Sequence, residues 1–270
     1  MTRAADWSGR VGEVWAEEWR RTERAFAWLE PLLEAAVLSV APERGRFLDI
    51  GCGVGTTSLC IARSRPGAEV TGVDLAGGMV ALARERGRSY PNVGFVQADA
   101  LAHADTHGRF DLFFSRHGVM FFADPVDAFR RVRAAAAPGA SLVFSCFAAP
   151  EDNRWATLLV AAPARPAGYA PGPFGFAEAA DVRAILIEAG WSNSTSQRVA
   201  FAYRVGEGDD PVADAVAFFS RIGPAAAQLR DADPVDRDTL RAMLADRIAP
   251  FRQGDAVDFP ATAWLWSARA

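Results

Sequence analysis

The chain has 270 residues, of which 50% are hydrophobic and 23% are charged, a composition that is typical of globular proteins and excludes extensive disorder. Its formal net charge is −4 and its basic residues are spread along the chain, so a nucleic acid is not expected as its main partner. The N-terminus lacks the apolar core of a signal peptide, no segment resembles a membrane span, and the three cysteines form no CxxC pair, so we expect a cytoplasmic protein with reduced thiols.

The N-terminal segment, residues 1–40, is predicted to be helical. Trp15, Trp19 and Phe26 recur at helical spacing with charged residues between them. We expect this segment to form part of a lid over a binding site.

Strands and helices are predicted to alternate through residues 41–148. Apolar runs predict strands at 46–50, 69–74, 93–98, 110–115 and 141–147. Helical patterns occupy 56–64, 78–87 and 125–137. Because the strands are almost continuously apolar, this alternation indicates a parallel sheet covered by helices on both faces. Right-handed crossovers then give an open, doubly wound α/β sheet.

The remaining residues, 149–270, are predicted to complete the sheet and to carry insertions that cover the substrate. The predicted elements are a helix at 177–189, strands at 191–205 and 257–269, and helical stretches at 213–221 and 234–248. The insertions are about 149–176 and 206–255. The complete prediction is a seven-stranded, mostly parallel sheet with helical lid insertions.

A glycine-rich turn follows the first predicted strand. Residues 47–56 read Phe-Leu-Asp-Ile-Gly-Cys-Gly-Val-Gly-Thr, so that the strand runs into three alternating glycines and then into a helix. Glycine permits a tight turn and close approach of a ligand, and the following helix N-terminus offers free N–H groups. The third glycine, Gly55, comes one residue earlier than in the dinucleotide-binding pattern.

Two further acids lie at the ends of predicted strands. Asp74 ends the second strand, where a carboxylate can accept both hydroxyl groups of a ribose. Asp99 follows the third strand, where it can accept a hydrogen bond from an exocyclic amine such as that of adenine. In an open α/β sheet these positions share one edge with the glycine turn.

Together these motifs resemble class I S-adenosylmethionine-dependent methyltransferases, in particular the branch that includes the ubiquinone and menaquinone C-methyltransferases. The resemblance is dense over residues 44–148 and weaker towards the C-terminus. The matching segments are 47–56, 72–81, 94–100, 110–125 and 138–146. It implies S-adenosylmethionine as cofactor, S-adenosylhomocysteine as product, and methyl transfer to oxygen, nitrogen or carbon of a small or medium-sized acceptor.

The resemblance also implies which residues bind the cofactor. Asp49 is expected near the methionyl ammonium, Asp74 at the ribose, and Asp99 at the adenine edge. The full expected set is Asp49, Gly51, Cys52, Gly53, Asp74, Leu75, Met79, Asp99, Ala100 and Ser115.

His117 is the candidate catalytic residue. It follows the fourth predicted strand, where the methyl pocket of such enzymes opens, and a histidine of ordinary pKa can take up a proton at neutral pH. The alternative is a histidine that only packs or donates a hydrogen bond in the pocket. His103 and His107 are expected in an exposed loop, and no metal site is predicted.

The acceptor itself is left open by the sequence. Eight aromatic residues are expected to cap the pocket or to fix the lid to the body: Trp15, Trp19, Trp155, Tyr169, Phe174, Phe176, Phe218 and Phe219. Arg116, Arg154 and Arg165 are candidates to receive a carboxylate, which points to methyl ester formation.

The sequence allows four functions to be considered. Besides a small-molecule methyltransferase, they are a peptide-modifying methyltransferase, a nicotinamide-dependent oxidoreductase and a non-catalytic relative. The oxidoreductase needs a Tyr-x-x-x-Lys pair or an equivalent hydride site, which the sequence does not show. The residues after the fourth strand, Ser115 to Gly118, also differ from the Asp/Asn-Pro-Pro-aromatic motif of enzymes that methylate amino groups of DNA bases.

Overall fold

The computed structural model describes residues 4–159 and 169–270. Within those residues the α-helices are α1 Ala4–Trp7, α2 Arg10–Glu17, α3 Trp19–Phe26, α4 Glu30–Leu38, α5 Thr56–Ser64, α6 Gly77–Gly87, α7 Ala100–His107, α8 Pro125–Ala134, α9 Ala179–Glu188, α10 Pro211–Phe219, α11 Pro224–Asp231 and α12 Pro234–Ile248. The strands are β1 Arg44–Ile50, β2 Gly67–Asp74, β3 Val93–Gln97, β4 Phe110–Arg116, β5 Ala136–Phe147, β6 Ser192–Glu207, β7 Arg252–Gln253 and β8 Ala256–Arg269.

One mixed sheet organises the chain. Its strand order is β3-β2-β1-β4-β5-β8-β6, and the short β7 pairs with β8. The first five strands are parallel, whereas β8 runs antiparallel to both β5 and β6. The predicted doubly wound sheet is therefore confirmed, with eight strands instead of seven because β7 adds a two-residue pairing.

The strand order reverses between β1 and β4, which places a crevice at their carboxyl ends. Strand β4 is buried almost throughout because helices cover both faces of the sheet, and Leu112, Phe113 and Phe114 are all fully buried. Such burial fixes the strand tips rigidly. Side chains that follow β1, β2, β3 and β4 therefore meet at one edge.

The N-terminal helices and the insertion before β8 are joined by ion pairs. In α3, Arg21 Nε lies 2.8 Å from Asp214 of α10, and Arg24 lies 2.7 Å from the same carboxylate. Arg221, just after α10, also pairs with Glu18 at 2.7 Å. The structure contains the predicted N-terminal helices as α1 to α4. It also contains the helices predicted at 213–221 and 234–248 as α10 and α12, whereas α11 was not predicted.

The loop predicted around His103 and His107 is wrong, because both residues lie in α7. The Asp99 carboxylate accepts hydrogen bonds from the backbone N–H groups of Leu101 and Ala102 and so begins the helix. The two imidazoles stack, with ring centroids 4.0 Å apart, and His103 is buried. Across residues 4–159 and 169–270, no group of three or more His, Cys, Asp or Glu side chains is placed to hold a metal ion.

Among the described helices, none combines the length and apolar character needed to cross a bilayer.

Candidate functional site

A cavity of about 410 Å³ opens at the carboxyl ends of β1, β2 and β4. We distinguish two ends of it. The glycine end is lined by Asp49, Gly51, Cys52, Gly53, Asp74, Leu75, Met79, Asp99 and Ala100. The aromatic end is lined by Phe26, His117, Phe147, Trp155, Tyr203 and Phe219. Nine of the ten predicted cofactor-binding residues therefore line one cavity.

The glycine turn is shaped by backbone that other residues rarely adopt. Gly51 and Gly53 have φ angles of +70° and +55°, in the left-handed region that glycine tolerates best. A Cβ atom on Gly53 would lie 3.2 Å from Met79 Cε, and one on Gly51 would lie 3.2 Å from Gly118 Cα. Because neither position carries a side chain, a ligand in the cavity can lie directly against the backbone here.

Asp74 fixes the glycine turn and faces the same cavity. Its Oδ2 accepts a hydrogen bond from Gly53 N–H at 2.8 Å, and its Oδ1 accepts one from Ala76 N–H at 2.8 Å. Burial raises the pKa of this carboxyl, although the backbone N–H groups oppose that shift. Each carboxylate oxygen has further lone pairs, so two hydroxyl groups could bind here.

Asp49 is the most deeply buried acid of the site, at 1% exposure. Its Oδ2 accepts a hydrogen bond from Ser58 Oγ at 2.6 Å, whereas its Oδ1 has no partner among the described residues. Burial raises the pKa of Asp49 to about 7. A buried oxygen without a partner is unusual, and a ligand ammonium would both satisfy it and favour the charged carboxylate.

A cluster of one arginine and two glutamates lies near Asp49. Arg116, at the end of β4, pairs with Glu23 of α3 and with Glu30 at 2.9 Å. Glu23 also accepts a hydrogen bond from Thr56, at the start of α5. Burial alone would raise the pKa of Glu23, but Arg116, Thr56 and Arg86 together outweigh burial and hold that pKa below its usual value. These bonds connect α3 and α4 to the end of β4, and they connect α3 to the start of α5.

Two predicted cofactor residues have structural bonds of their own. Asp99 uses Oδ1 to cap α7, which leaves its Oδ2 for a ligand. Ser115 does not line the cavity: its Oγ donates to Ile50 C=O at 2.6 Å and accepts from Gly118 N–H at 3.2 Å. Its hydroxyl is buried because it joins the ends of β1 and β4. The resemblance implies that Ser115 meets the ligand through its backbone, and that role stays a prediction.

His117 occupies the aromatic end with a left-handed φ of +58°. Its Nδ1 lies 2.8 Å from Ser145 Oγ, and its backbone N–H donates to Ser145 C=O. The ring packs on Phe147 and Phe26, with centroids 4.3 and 5.0 Å away. Burial, with a smaller effect from the nearby Arg116, lowers the pKa of His117 to about 3, so the imidazole is neutral at pH 7. Its role as a base stays a prediction.

The aromatic residues of the site were only partly predicted. Of the eight proposed, Trp15, Trp155 and Phe219 line the cavity, while Trp19, Tyr169, Phe174, Phe176 and Phe218 do not. Tyr169 instead donates to the carbonyl groups of Met120 and Phe122 and so braces the segment after β4. Phe147 and Tyr203 were missed, although both lie in predicted strands.

The arginines considered for a carboxylate are placed differently. Both terminal nitrogens of Arg116 are already engaged by glutamates. Arg154 lies over the Phe251 ring, 5.4 Å from its centroid, and is not part of the cavity lining. Arg165 lies outside the described residues.

Comparisons with known proteins agree with this geometry. Residues 47–139 match the model of a family described as a methyltransferase domain. A demethylmenaquinone methyltransferase of Thermus thermophilus is 38% identical over 114 residues, which are 42% of this chain and 51% of that protein. A trans-aconitate 2-methyltransferase of Paracidovorax citrulli is 36% identical over 124 residues, 46% of this chain and 44% of that protein. The chain thus spans about half the length of these relatives.

Solved structures share the fold. The YcgJ protein from Bacillus subtilis superposes with a TM-score of 0.51 at 18% identity, covering 88% of this chain and 97% of that one. A phosphoethanolamine N-methyltransferase 2 of Haemonchus contortus, in complex with S-adenosyl-L-methionine, gives 0.55 at 16% identity, covering 99% and 60%. The predicted resemblance to class I methyltransferases is confirmed. Residues 47–139 are the part of the chain that matches a methyltransferase domain.

Proposed function

We propose that the chain is a methyltransferase that binds S-adenosylmethionine at the glycine end and a small or medium-sized organic acceptor at the aromatic end. One observation carries the proposal: two carboxylates lie in one cavity with an aromatic pocket. They are Asp49, whose buried Oδ1 has no hydrogen-bond partner among the described residues, and Asp74, which accepts a hydrogen bond from Gly53 N–H. When bound, the cofactor supplies a methyl group on a sulfonium, already activated towards a nucleophile.

The residues at the glycine end are proposed to divide the cofactor between them. Asp49 would accept hydrogen bonds from the methionyl ammonium, and Asp74 from the ribose hydroxyl groups. Leu75 and Met79 would pack against the adenine, with Asp99 and Ala100 at its edge. These assignments fit because Gly51 and Gly53 line the cavity and present backbone without a side chain to it.

At the aromatic end, the chain mainly has to position the acceptor and exclude water. Alignment of two bound reactants alone supplies roughly 7–11 kcal/mol of the barrier. The enclosing rings, among them Phe26 and Trp155, suit an apolar organic molecule held by few polar groups. A peptide is the second candidate acceptor, for which the same apolar rings could receive an aromatic or aliphatic side chain.

Calorimetric titration with S-adenosylmethionine, S-adenosylhomocysteine and NADH tests the proposal. We expect both adenosyl compounds to bind at one site and NADH to show no heat of binding. Saturable binding of NADH, or no binding of either adenosyl compound, would refute it. Incubation with methyl-labelled cofactor and a panel of small acceptors and peptides then separates the two acceptor classes.

A further inference from the structure

The Ser145 hydroxyl determines which nitrogen of His117 carries the hydrogen. Ser145 is fully buried in β5, and its Oγ makes no hydrogen bond to a described residue other than that to His117 Nδ1. Either group could donate in this hydrogen bond, but a buried polar hydrogen is almost always used. Ser145 does not line the cavity and has no other acceptor among the described residues, whereas His117 lines the cavity, where a ligand can accept from it. We therefore infer that Ser145 donates to Nδ1. The ring hydrogen of the neutral imidazole must then be on Nε2.

The Nε2–H group lacks a partner. His117 Nε2 is shielded from solvent and makes no hydrogen bond to any described residue, although the side chain lines the cavity. The imidazole packs on Phe26 and Phe147, and both of these rings pack on Tyr203. A ligand oxygen that enters between these rings would satisfy the donor.

We propose that His117 binds the methyl acceptor as a hydrogen-bond donor through Nε2–H, and that the acceptor is a planar phenol or enol held by its oxygen. This inference rests on the proposed function. The neutral acceptor gives up its proton to water at the mouth of the cavity as it binds, and the Nε2–H bond then stabilises the negative charge on its oxygen. Since Nε2 already carries a hydrogen, it cannot take up that proton, so donation replaces the base role predicted for His117.

The geometry favours this class over charged acceptors. A flat ring can pack among the aromatic side chains at the spacing that they use with each other, such as the 5.1 Å between Trp155 and Tyr203. An ammonium group has no lone pair for Nε2–H. A carboxylate enters already charged and needs a cation to offset its desolvation, whereas a phenol or enol can enter as the neutral molecule. The two arginines in the cavity lining are already paired, Arg116 with Glu23 and Glu30 and Arg131 with Asp105.

Nitrogen NMR tests the tautomer directly. The chain has three histidines, so ¹⁵N-histidine labelling gives few signals, and loss of one set in His117→Gln assigns His117. We expect a protonated Nε2 and an unprotonated Nδ1 in the complex with S-adenosylhomocysteine. Ser145→Ala removes the fixing hydrogen bond and should leave a mixture of tautomers. A wild-type protein protonated on Nδ1 would overturn the proposal.

Three probes that share one ring test the acceptor class: 4-nitrophenol, 4-nitrobenzoate and 4-nitrobenzylammonium. In the S-adenosylhomocysteine complex we expect 4-nitrophenol to bind at least about tenfold more tightly than either charged probe. His117→Leu should weaken 4-nitrophenol about tenfold and reduce its phenolate absorbance. His117→Gln, whose amide can still donate, should stay within about threefold of the wild type.

The outcomes separate this inference from the proposed function. Calorimetry with S-adenosylhomocysteine on all variants shows whether the cofactor site is intact. If the wild type does not bind it, the proposed function fails. If it binds but prefers 4-nitrobenzoate or the ammonium probe, binds none of the three, or responds equally to His117→Leu and His117→Gln, only the acceptor class and donor role assigned here are wrong.

Discussion

The two ends of the cavity are built in different ways. The glycine end uses backbone and acids at successive strand tips, all between Asp49 and Ala100, and it lies within the matched methyltransferase domain. The aromatic end gathers rings from distant parts of the chain, and apart from His117 its defining residues fall outside residues 47–139. Under the proposed function, the residues that bind the cofactor are thus separated from the surface that selects an acceptor, so changes at one end should leave binding at the other largely intact.

The largest expected change in affinity at one end of the cavity comes from Asp74→Ala. Two hydrogen bonds to a charged acceptor, at about 1.5 kcal/mol each, correspond to roughly 100-fold weaker S-adenosylhomocysteine binding. Calorimetry measures this loss of affinity. Asp74→Asn keeps one carbonyl oxygen, so its affinity should lie between those of the wild type and Asp74→Ala.

A 2′-deoxy analogue of S-adenosylhomocysteine shows whether Asp74 acts on the ribose. The wild type should lose affinity for it, whereas Asp74→Ala should bind the analogue and the parent compound equally. Equal losses in both proteins would mean that Asp74 only supports the Gly53 backbone.

Cofactor affinity should also depend on pH through Asp49. Binding of an ammonium favours the ionised carboxylate, and burial raises the pKa of Asp49 to about 7 in the free protein. Affinity should therefore rise by about tenfold per pH unit below pH 7 and level off above it. Calorimetry from pH 5.5 to 8.5 measures this slope, which Asp49→Asn should flatten; an unchanged slope would assign the dependence to another group.

The raised pKa of Asp49 should make folding stability change with pH in the opposite direction to cofactor affinity. The folded form holds the Asp49 proton up to about pH 7, whereas the unfolded chain loses it near pH 4. The free energy of unfolding contributed by this group is therefore greatest below pH 4 and falls as pH rises towards 7. In urea unfolding across that range, the wild type should lose more stability with rising pH than Asp49→Asn, and the difference between the two proteins gives the contribution of Asp49.

At the aromatic end, Phe147→Leu should weaken 4-nitrophenol binding about fivefold in the S-adenosylhomocysteine complex, since it removes ring contacts with His117 and Trp155. Affinity for S-adenosylhomocysteine should stay within about twofold. Phe129→Leu is the matched control, because Phe129 packs on Phe144 and Phe176 in the core and does not line the cavity. An equal effect of both variants would indicate general loosening.

Sequence patterns predicted the glycine end far better than the aromatic end, for a physical reason. Asp49, Asp74 and Asp99 each end a strand or follow one, and parallel strands bring their carboxyl ends to one edge. Phe26 and Tyr203 reach the cavity through long-range packing, which local periodicity does not encode. The pairing of Arg116 with Glu23 likewise depends on how α3 lies across the sheet.

The errors in the predicted elements were also local. The segment at 103–107 is mostly polar and resembles a loop, but the Asp99 cap and the stacked His103 and His107 rings favour a helix. Helix α11 was missed because it has only eight residues and few large apolar side chains. By contrast, the predicted boundaries of α5 and α12 agree with the structure.

The smallest expected effect, Asp99→Ala, tests whether fold and ligand binding can be separated within the glycine end itself. Loss of the α7 cap should lower the free energy of unfolding by about 0.5–2 kcal/mol, and loss of Oδ2 should weaken S-adenosylhomocysteine about threefold. Asp99→Asn retains a capping oxygen, so it should recover stability while it keeps part of the affinity loss. If stability and affinity recover together, Asp99 acts only by starting α7, and the adenine edge is then recognised by Ala100 and the backbone around it.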